Sequence, residues 1–175
     1  DPLGSAESTY GSLTNADLPF KPARSAGGDE LELGQSSISD LITHTDREVR
    51  RTAFQNYADA YLDFQNTIAG LQTGGLKRDV FNARARHYDS SLEASLFPNN
   101  IPPEVFHNLI EVFRANLLTW HRYWRVRRQA LGYDELHVYD IKAPLTEEKP
   151  RVSYRQAVDW ICEGVAPLGE EYVGK

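Results

Sequence analysis

IPPEVFHNLIEVFRANLLTWHRYWRVRRQALG, running from Ile101 to Gly132, is the stretch that decides the fold. Two prolines suit a first helical turn, where the missing amide hydrogens would be unpaired in any case. Val105, Leu109, Phe113, Leu117, Trp120, Trp124 and Leu131 then recur at helical spacing and trace one apolar stripe. Gly132 supplies the left-handed residue that commonly ends a helix. At 1.5 Å per residue, a helix over 103–131 measures about 43 Å. Such a helix must carry the core, so the reading expects Trp124 to be buried and the helix to pack against another long one.

That second helix is expected upstream. Thr45-Asp-Arg-Glu48 has the T-x-x-E form of a capping box, which starts a helix at Asp46. Val49, Ala53, Tyr57, Tyr61, Phe64, Ile68 and Leu71 follow on a single stripe, and Gly74-Gly75 weakens or ends it. Leu76–Arg86 reads as a further helix, and Ser90–Leu96 as a short one closed by Pro98. His137-Val-Tyr-Asp-Ile141 reads as a short extended piece before Pro144. Ser153-Tyr-Arg-Gln156 is another capping box, opening a last helix whose apolar face is Ala157, Trp160, Ile161 and Val165, with Pro167 and Gly169 interrupting it.

The first 38 residues differ, being rich in Gly, Ser, Pro and Asp. Leu18–Ala23 and Glu30–Leu33 flank the turn signal Ser25-Ala-Gly-Gly28, which predicts a small hairpin. Pro19 and Pro22 confine its first arm to an edge or fold-back segment. The expected fold is mainly α, with antiparallel helices and a small N-terminal β-hairpin. The chain divides into an irregular and hairpin lead-in over 1–38 and a helical lobe over 39–175. No internal repeat or low-complexity tract is present.

Composition narrows the function. The 175 residues carry a formal charge of −6, which disfavours a surface built wholly for phosphate, so any nucleic-acid role is local. One cysteine, Cys162, cannot form an intrachain disulfide, and its apolar helical neighbours favour packing over nucleophilic catalysis. No stretch resembles a membrane span or a signal peptide. Methionine is absent even at position 1, so the chain reads as a processed or excised piece.

No histidine is followed by glutamate, so H-E-x-x-H is absent. Glu104-Val-Phe-His107 has the E-x-x-H spacing of carboxylate-bridged di-iron bundles, but those need a second such motif and none exists here. G-x-S-x-G, P-loop and G-x-G-x-x-G patterns are missing, and the acidic pairs Glu147-Glu148 and Glu170-Glu171 read as solvated charge. The unusual run is Trp120–Arg128, with four arginines among three aromatics. Three readings stay open for it: single-stranded nucleic acid, carboxylate or peptide binding in a cleft, and structural ion pairs. Helical spacing sorts His107, Glu111, Arg114, His121, Arg125 and Arg128 onto a polar stripe beside the apolar one. These six are the candidate channel or interface residues.

Several ordered blocks carry a resemblance: Arg84-Ala-Arg86 with Tyr88–Glu93, Asn100-Ile-Pro102 with Val105–Ile110, His121–Trp124 with Leu131-Gly132, Glu135-Leu136 and Tyr139-Asp140, and Pro167–Tyr172. Together they resemble the part of oligoendopeptidase F, a thimet-oligopeptidase-like zinc metallopeptidase, that precedes the catalytic motif. The resemblance implies a mostly helical, two-lobed cytoplasmic peptidase whose internal channel admits oligopeptides. In that family zinc sits on H-E-x-x-H and a downstream glutamate, neither of which has a matching position here. It therefore implies no catalytic residue, metal ligand or cofactor in this chain, zinc in the full enzyme, and inactivity of the chain alone. Implied partners are an oligopeptide substrate and the missing catalytic lobe, with no nucleic acid and no membrane. A free-standing helical protein- or peptide-binding module is the alternative that the residues leave open.

Overall fold

The computed structural model describes residues 4–146, 152–169 and 172. The chain forms two units, residues 1–145 and 146–175. The acidic pairs Glu147-Glu148 and Glu170-Glu171 lie outside the described residues.

The first unit is helical apart from one small hairpin, as expected. Its elements are α1 (Ser5–Ser12), a π turn at Leu13–Asp17, β1 (Ala23–Arg24), β2 (Glu30–Leu31), α2 (Ile38–Leu41) and α3 (Arg47–Asp63). Beyond these come α4 (Gln65–Ala85), α5 (Ser91–Leu96), α6 (Pro103–Ala115), α7 (Leu117–Ala130) and a 3-10 turn at Val138–Asp140. The second unit contains α8 (Tyr154–Val165), which Ser153 caps by accepting the Gln156 N–H at 3.3 Å.

The core gathers around α3. Ala23, Leu33, Leu41, Val49 and Ala53 are buried together, with Phe20, Leu31, Ile38 and Tyr57 packed against them. The hairpin pairs antiparallel, Ala23 opposite Leu31 and Arg24 opposite Glu30, and its turn holds Gly28 at φ +90, a conformation that suits glycine. It lies along α3 through polar contacts. The Arg24 N–H donates to Thr52 Oγ1 at 2.8 Å, Asn56 Nδ2 to the Pro22 carbonyl at 2.8 Å, and the Ala26 N–H to Asp46 Oδ2 at 2.8 Å.

Five local expectations are corrected. First, the cap of α3 is Asp46 rather than Thr45: its carboxylate accepts the Glu48 N–H at 2.8 Å, while Glu48 turns to Arg51 one turn on instead of reaching back. The competing Ala26 N–H explains the choice, because Asp46 serves the helix and the hairpin at once. Second, the apolar stripe holds its face from Val49 to Leu71, but the helix breaks at Phe64 (φ −108, ψ 16) and then runs unbroken through Gly74-Gly75. Helix α1 packs on α4, and Gly74 lies there near Ala6, so tertiary packing supports a segment that propensity alone weakens. Helix α1 itself falls in the stretch read as an irregular lead-in.

Third, the 43 Å helix is two helices. Asn116 (φ −102, ψ 8) separates them, its Nδ2 donating to the Val112 carbonyl at 2.8 Å and so competing with the backbone ladder. Fourth, α6 does not pack on α3; its neighbours are α5 and α7, and its apolar residues Val105, Leu109 and Phe113 are exposed. Trp124 is only half-buried. Fifth, Val138–Asp140 is a 3-10 turn, because the Asp140 N–H donates to the His137 carbonyl at 2.9 Å while Asp140 Oδ2 accepts the His137 N–H at 3.1 Å.

Other signals act where the sequence put them. Ser90 caps α5 by accepting the Glu93 N–H at 3.0 Å, and Glu93 accepts the Asp89 N–H at 2.9 Å. At the end of α7, Gly132 adopts φ +68, the Gly132 N–H meets the Gln129 carbonyl at 3.1 Å and the Tyr133 N–H meets the Arg128 carbonyl at 3.2 Å. These two bonds form a Schellman end.

Candidate functional site

The turn at Gly132 sends the chain back toward the start of α3, and a charged cluster fixes it there. Asp140 is fully buried and accepts from Arg47 Nη2 at 2.8 Å, Arg47 Nε at 3.1 Å, Arg50 Nη2 at 3.1 Å and the His137 N–H. Arg50, also fully buried, donates further to the carbonyls of His44 at 2.7 Å and Thr45 at 3.0 Å and to Tyr133 Oη at 2.9 Å. Arg47 lies 4.1 Å from the Tyr133 ring centroid and donates to the Glu135 carbonyl. Burial pushes the Asp140 carboxyl up, but hydrogen bonds from Arg47, His137 and Arg50 outweigh it and hold the group below the usual carboxylate range. Asp140 in turn raises Arg47. The segment 133–140 is thereby anchored to α3 by charge, and Tyr139 also meets Phe54 of α3 with ring centroids 6.5 Å apart.

This anchored segment and the C-terminal half of α7 form a pocket of about 350 Å³, lined by Trp124, Arg125, Arg128, Asp134, Glu135, Leu136 and His137. Of the six candidate residues, the structure brings Arg125 and Arg128 into it. Arg125 Nε donates to the carbonyl of a third, His121, at 3.4 Å. His107, Glu111 and Arg114 lie on α6, beyond the break at Asn116, and are exposed. Arg128 is half-buried and donates to the Asp134 carbonyl at 3.2 Å.

The most buried arginine of the run is one the stripe left out. Arg127 donates from Nη2 to the carbonyl of buried Ala143 and from Nη1 to Tyr123 Oη at 3.5 Å. The Arg47–Arg50–Asp140 cluster was also missed as a unit, because Asp140 stands 93 and 90 positions from its two arginines. Tyr139-Asp140, within one of the resemblance blocks, was the only pointer to it.

Glu104 and His107, the E-x-x-H pair, are both exposed. No group of three or more His, Cys, Asp or Glu able to hold a metal stands together among the described residues. The zinc implied by the resemblance therefore has no donor set among them. Cys162 is half-buried on α8.

Apolar surface is extensive. Leu109 is 66% exposed, Leu118 78% and Val126 58%, and Phe113 and Trp120 are exposed next to each other. Phe113 and Trp120 stand 6.4 Å apart, Trp120 stacks on Trp124 at 6.1 Å, and Trp124 meets Tyr123 edge-on at 4.8 Å. A second groove, about 670 Å³, runs along α4 between Leu76, Val80 and Phe81, with Lys77 and Arg84 beside it. Patches of this extent mark faces that something covers. Among the described residues no helix is long and apolar enough to cross a membrane.

Comparison with known proteins places this architecture. Residues 41–168 match peptidase family M3. Oligopeptidase PepF of Bacillus subtilis is 37% identical over 97% of this chain and 26% of its own length. Group B oligopeptidase PepB of Streptococcus agalactiae is 36% identical over 97% of this chain and 28% of its own. The crystal structure of oligoendopeptidase-F from Enterococcus faecium superposes with a TM-score of 0.80 at 34% identity, covering 99% of this chain and 32% of that one. The chain thus spans about a quarter of the length of the curated relatives it matches.

Proposed function

Because the chain belongs to peptidase family M3, we propose that it forms a non-catalytic helical lobe of an oligopeptide-cleaving zinc metallopeptidase of the oligoendopeptidase F type. In this reading residues 39–175 are the lobe and residues 1–38 its lead-in. The zinc is held by residues other than those described here, and no step of the reaction is routed through this chain. The polar stripe of His107, Glu111, Arg114, His121, Arg125 and Arg128 faces the substrate channel or the catalytic lobe. The enzyme is soluble and cytoplasmic, and its substrates are short peptides.

One observation carries the reading. Helix α6 has the sequence of a core helix, yet Val105, Leu109, Val112 and Phe113 are exposed. These four side chains are 51–66% exposed, so each forgoes a little over half of the ~1.5–3 kcal/mol that full burial contributes. A covering surface recovers that loss, and the relatives are three to four times longer than this chain.

The experiment is to express the full reading frame that contains these residues, and separately the 175-residue chain. The longer product is expected to cleave a fluorogenic oligopeptide in a chelator-sensitive manner, and Leu109→Glu is expected to lower both its activity and its melting temperature. The short chain is expected to do neither chemistry nor stoichiometric zinc binding. A longer product without chelator-sensitive peptidase activity, or a short chain that cleaves peptides by itself, overturns the proposal; the former result favours the free-standing binding module.

A further inference from the structure

We infer that the pocket between α7 and the anchored segment is a carboxylate site, in which Arg125 and Arg128 hold the carboxylate of a peptide whose adjoining apolar side chain lies against Trp124 and Leu136. The choice of a peptide as ligand rests on the oligopeptidase reading; the carboxylate chemistry rests on the residues alone.

The arginines of this region fall into two sets. Arg47, Arg50 and Arg127 each donate to Asp140, to a backbone carbonyl or to a tyrosine hydroxyl, although Nε of Arg50 and of Arg127 is buried without a partner among the described residues. Arg125 and Arg128 have no carboxylate within ion-pair distance among the described residues. Arg125 makes one long bond from Nε to the His121 carbonyl, and its two Nη groups form no bond to the described residues. Arg128 uses Nη1 on the Asp134 carbonyl, while its Nε is buried without a hydrogen-bond partner among the described residues. Three residues apart on one helix, the two side chains are surface neighbours, so their like charges repel. An anion between them relieves that repulsion and supplies the missing acceptors.

The pocket also selects among anions. Planar guanidinium forks match a carboxylate by two parallel bonds and keep their charge when partly buried. Two acids line the pocket as well, but Glu135 Oε2 stands 3.7 Å from His137 Nε2, and it is the backbone of Asp134 that faces Arg128. Beside the charges on the same helix, Trp124 contacts Trp120 and Tyr123 and offers an apolar wall. The depression is shallow and open, and its volume of about 350 Å³ leaves room beside the arginines for a small group. The segment that closes it is fixed by the buried Asp140 cluster, so the site is preorganised.

The test uses the product of the full reading frame and two probes too short to be cleaved as oligopeptides, N-acetyl-phenylalanine and its amide, with binding read from tryptophan indole NMR shifts. The acid is expected to bind about tenfold more tightly than the amide, the margin of a hydrogen bond to a charged group. R125Q and R128Q are each expected to bring the two probes toward parity, and R125K to keep part of the preference. Arg125 is exposed and bonded only to its own helix, so R125Q keeps the fold, which circular dichroism verifies. Equal binding of acid and amide, no measurable binding of either, or a preference that survives both glutamine variants overturns the inference. So does a fall in melting temperature with the preference intact, which instead makes these arginines a clamp on acids elsewhere in the protein. Chelator-sensitive peptidase activity is measured in parallel; its absence counts against the proposed function without altering the acid-to-amide comparison.

Discussion

Replacing Asp140 by Asn removes one charge from a cluster in which Arg50 and Asp140 are 1% and 0% exposed. The side chain keeps its shape, so no cavity forms, but two guanidiniums lose their counter-ion and one of them has no water to turn to. Breaking a buried pair from one side costs about 3–5 kcal/mol, because the remaining charge is left uncompensated. Against a total stability of roughly 5–15 kcal/mol, that is a large fraction. For a chain of this length each kcal/mol corresponds to about 2–4 °C, so the melting temperature is expected to fall by roughly 10 °C. The assay is urea and thermal denaturation followed by far-ultraviolet circular dichroism at pH 7. Glu48→Gln is the control: it breaks the more exposed Arg51–Glu48 pair and should cost under about 1 kcal/mol.

Acid adds a second reading of the same cluster. The folded-state pKa of Asp140 is depressed, so its contribution is fully present above the unfolded carboxyl value of about 4 and disappears as pH falls through the lower, folded value. Wild-type stability should therefore decline more steeply below about pH 4 than that of Asp140→Asn. If Asp140→Asn matched Glu48→Gln in cost, or kept the wild-type acid slope, the cluster would not anchor the 133–140 segment and the argument built on it would fail.

Three further outcomes are expected. Val49→Ala, at a fully buried position of α3, should cost about 2 kcal/mol by chemical denaturation, whereas Trp124→Ala should fall short of the 3–5 kcal/mol of a fully buried aromatic; a larger loss at Trp124 would mean that its face is covered. Leu109→Glu in the 175-residue chain should leave stability within about 0.5 kcal/mol and reduce self-association measured by sedimentation, since the residue is 66% exposed; marked destabilisation would show that α6 is packed. Gly132→Ala should cost about 1–2 kcal/mol through the left-handed backbone alone, because nothing lies within 4 Å of the added methyl, and an unchanged urea midpoint would contradict the Schellman end.

The residues by themselves determined what local chemistry decides. Ser90 and Ser153 cap the helices they precede, Gly132 ends α7 and Gly28 turns the hairpin, since each acts within about four positions and needs no distant partner. The stripe from Val49 to Leu71 was legible for the same reason, as was the grouping of Arg125 and Arg128 on one helical face. Only the tertiary structure decided the rest. Asp46 took the cap from Thr45 because the hairpin brings the Ala26 N–H to its carboxylate. Helix α4 passes through Gly74-Gly75 with α1 packed on it. The 101–132 stretch proved amphipathic but largely uncovered, since periodicity states that a face is apolar and cannot state what meets it. Arg127 became the buried arginine because the carbonyl of Ala143, 16 residues away, lies over it. Asp140 gained its place from guanidiniums 90 and 93 positions distant. Capping and periodicity act over a few residues and are written in sequence order, whereas burial and charge pairing depend on distances in space that chain closure alone sets.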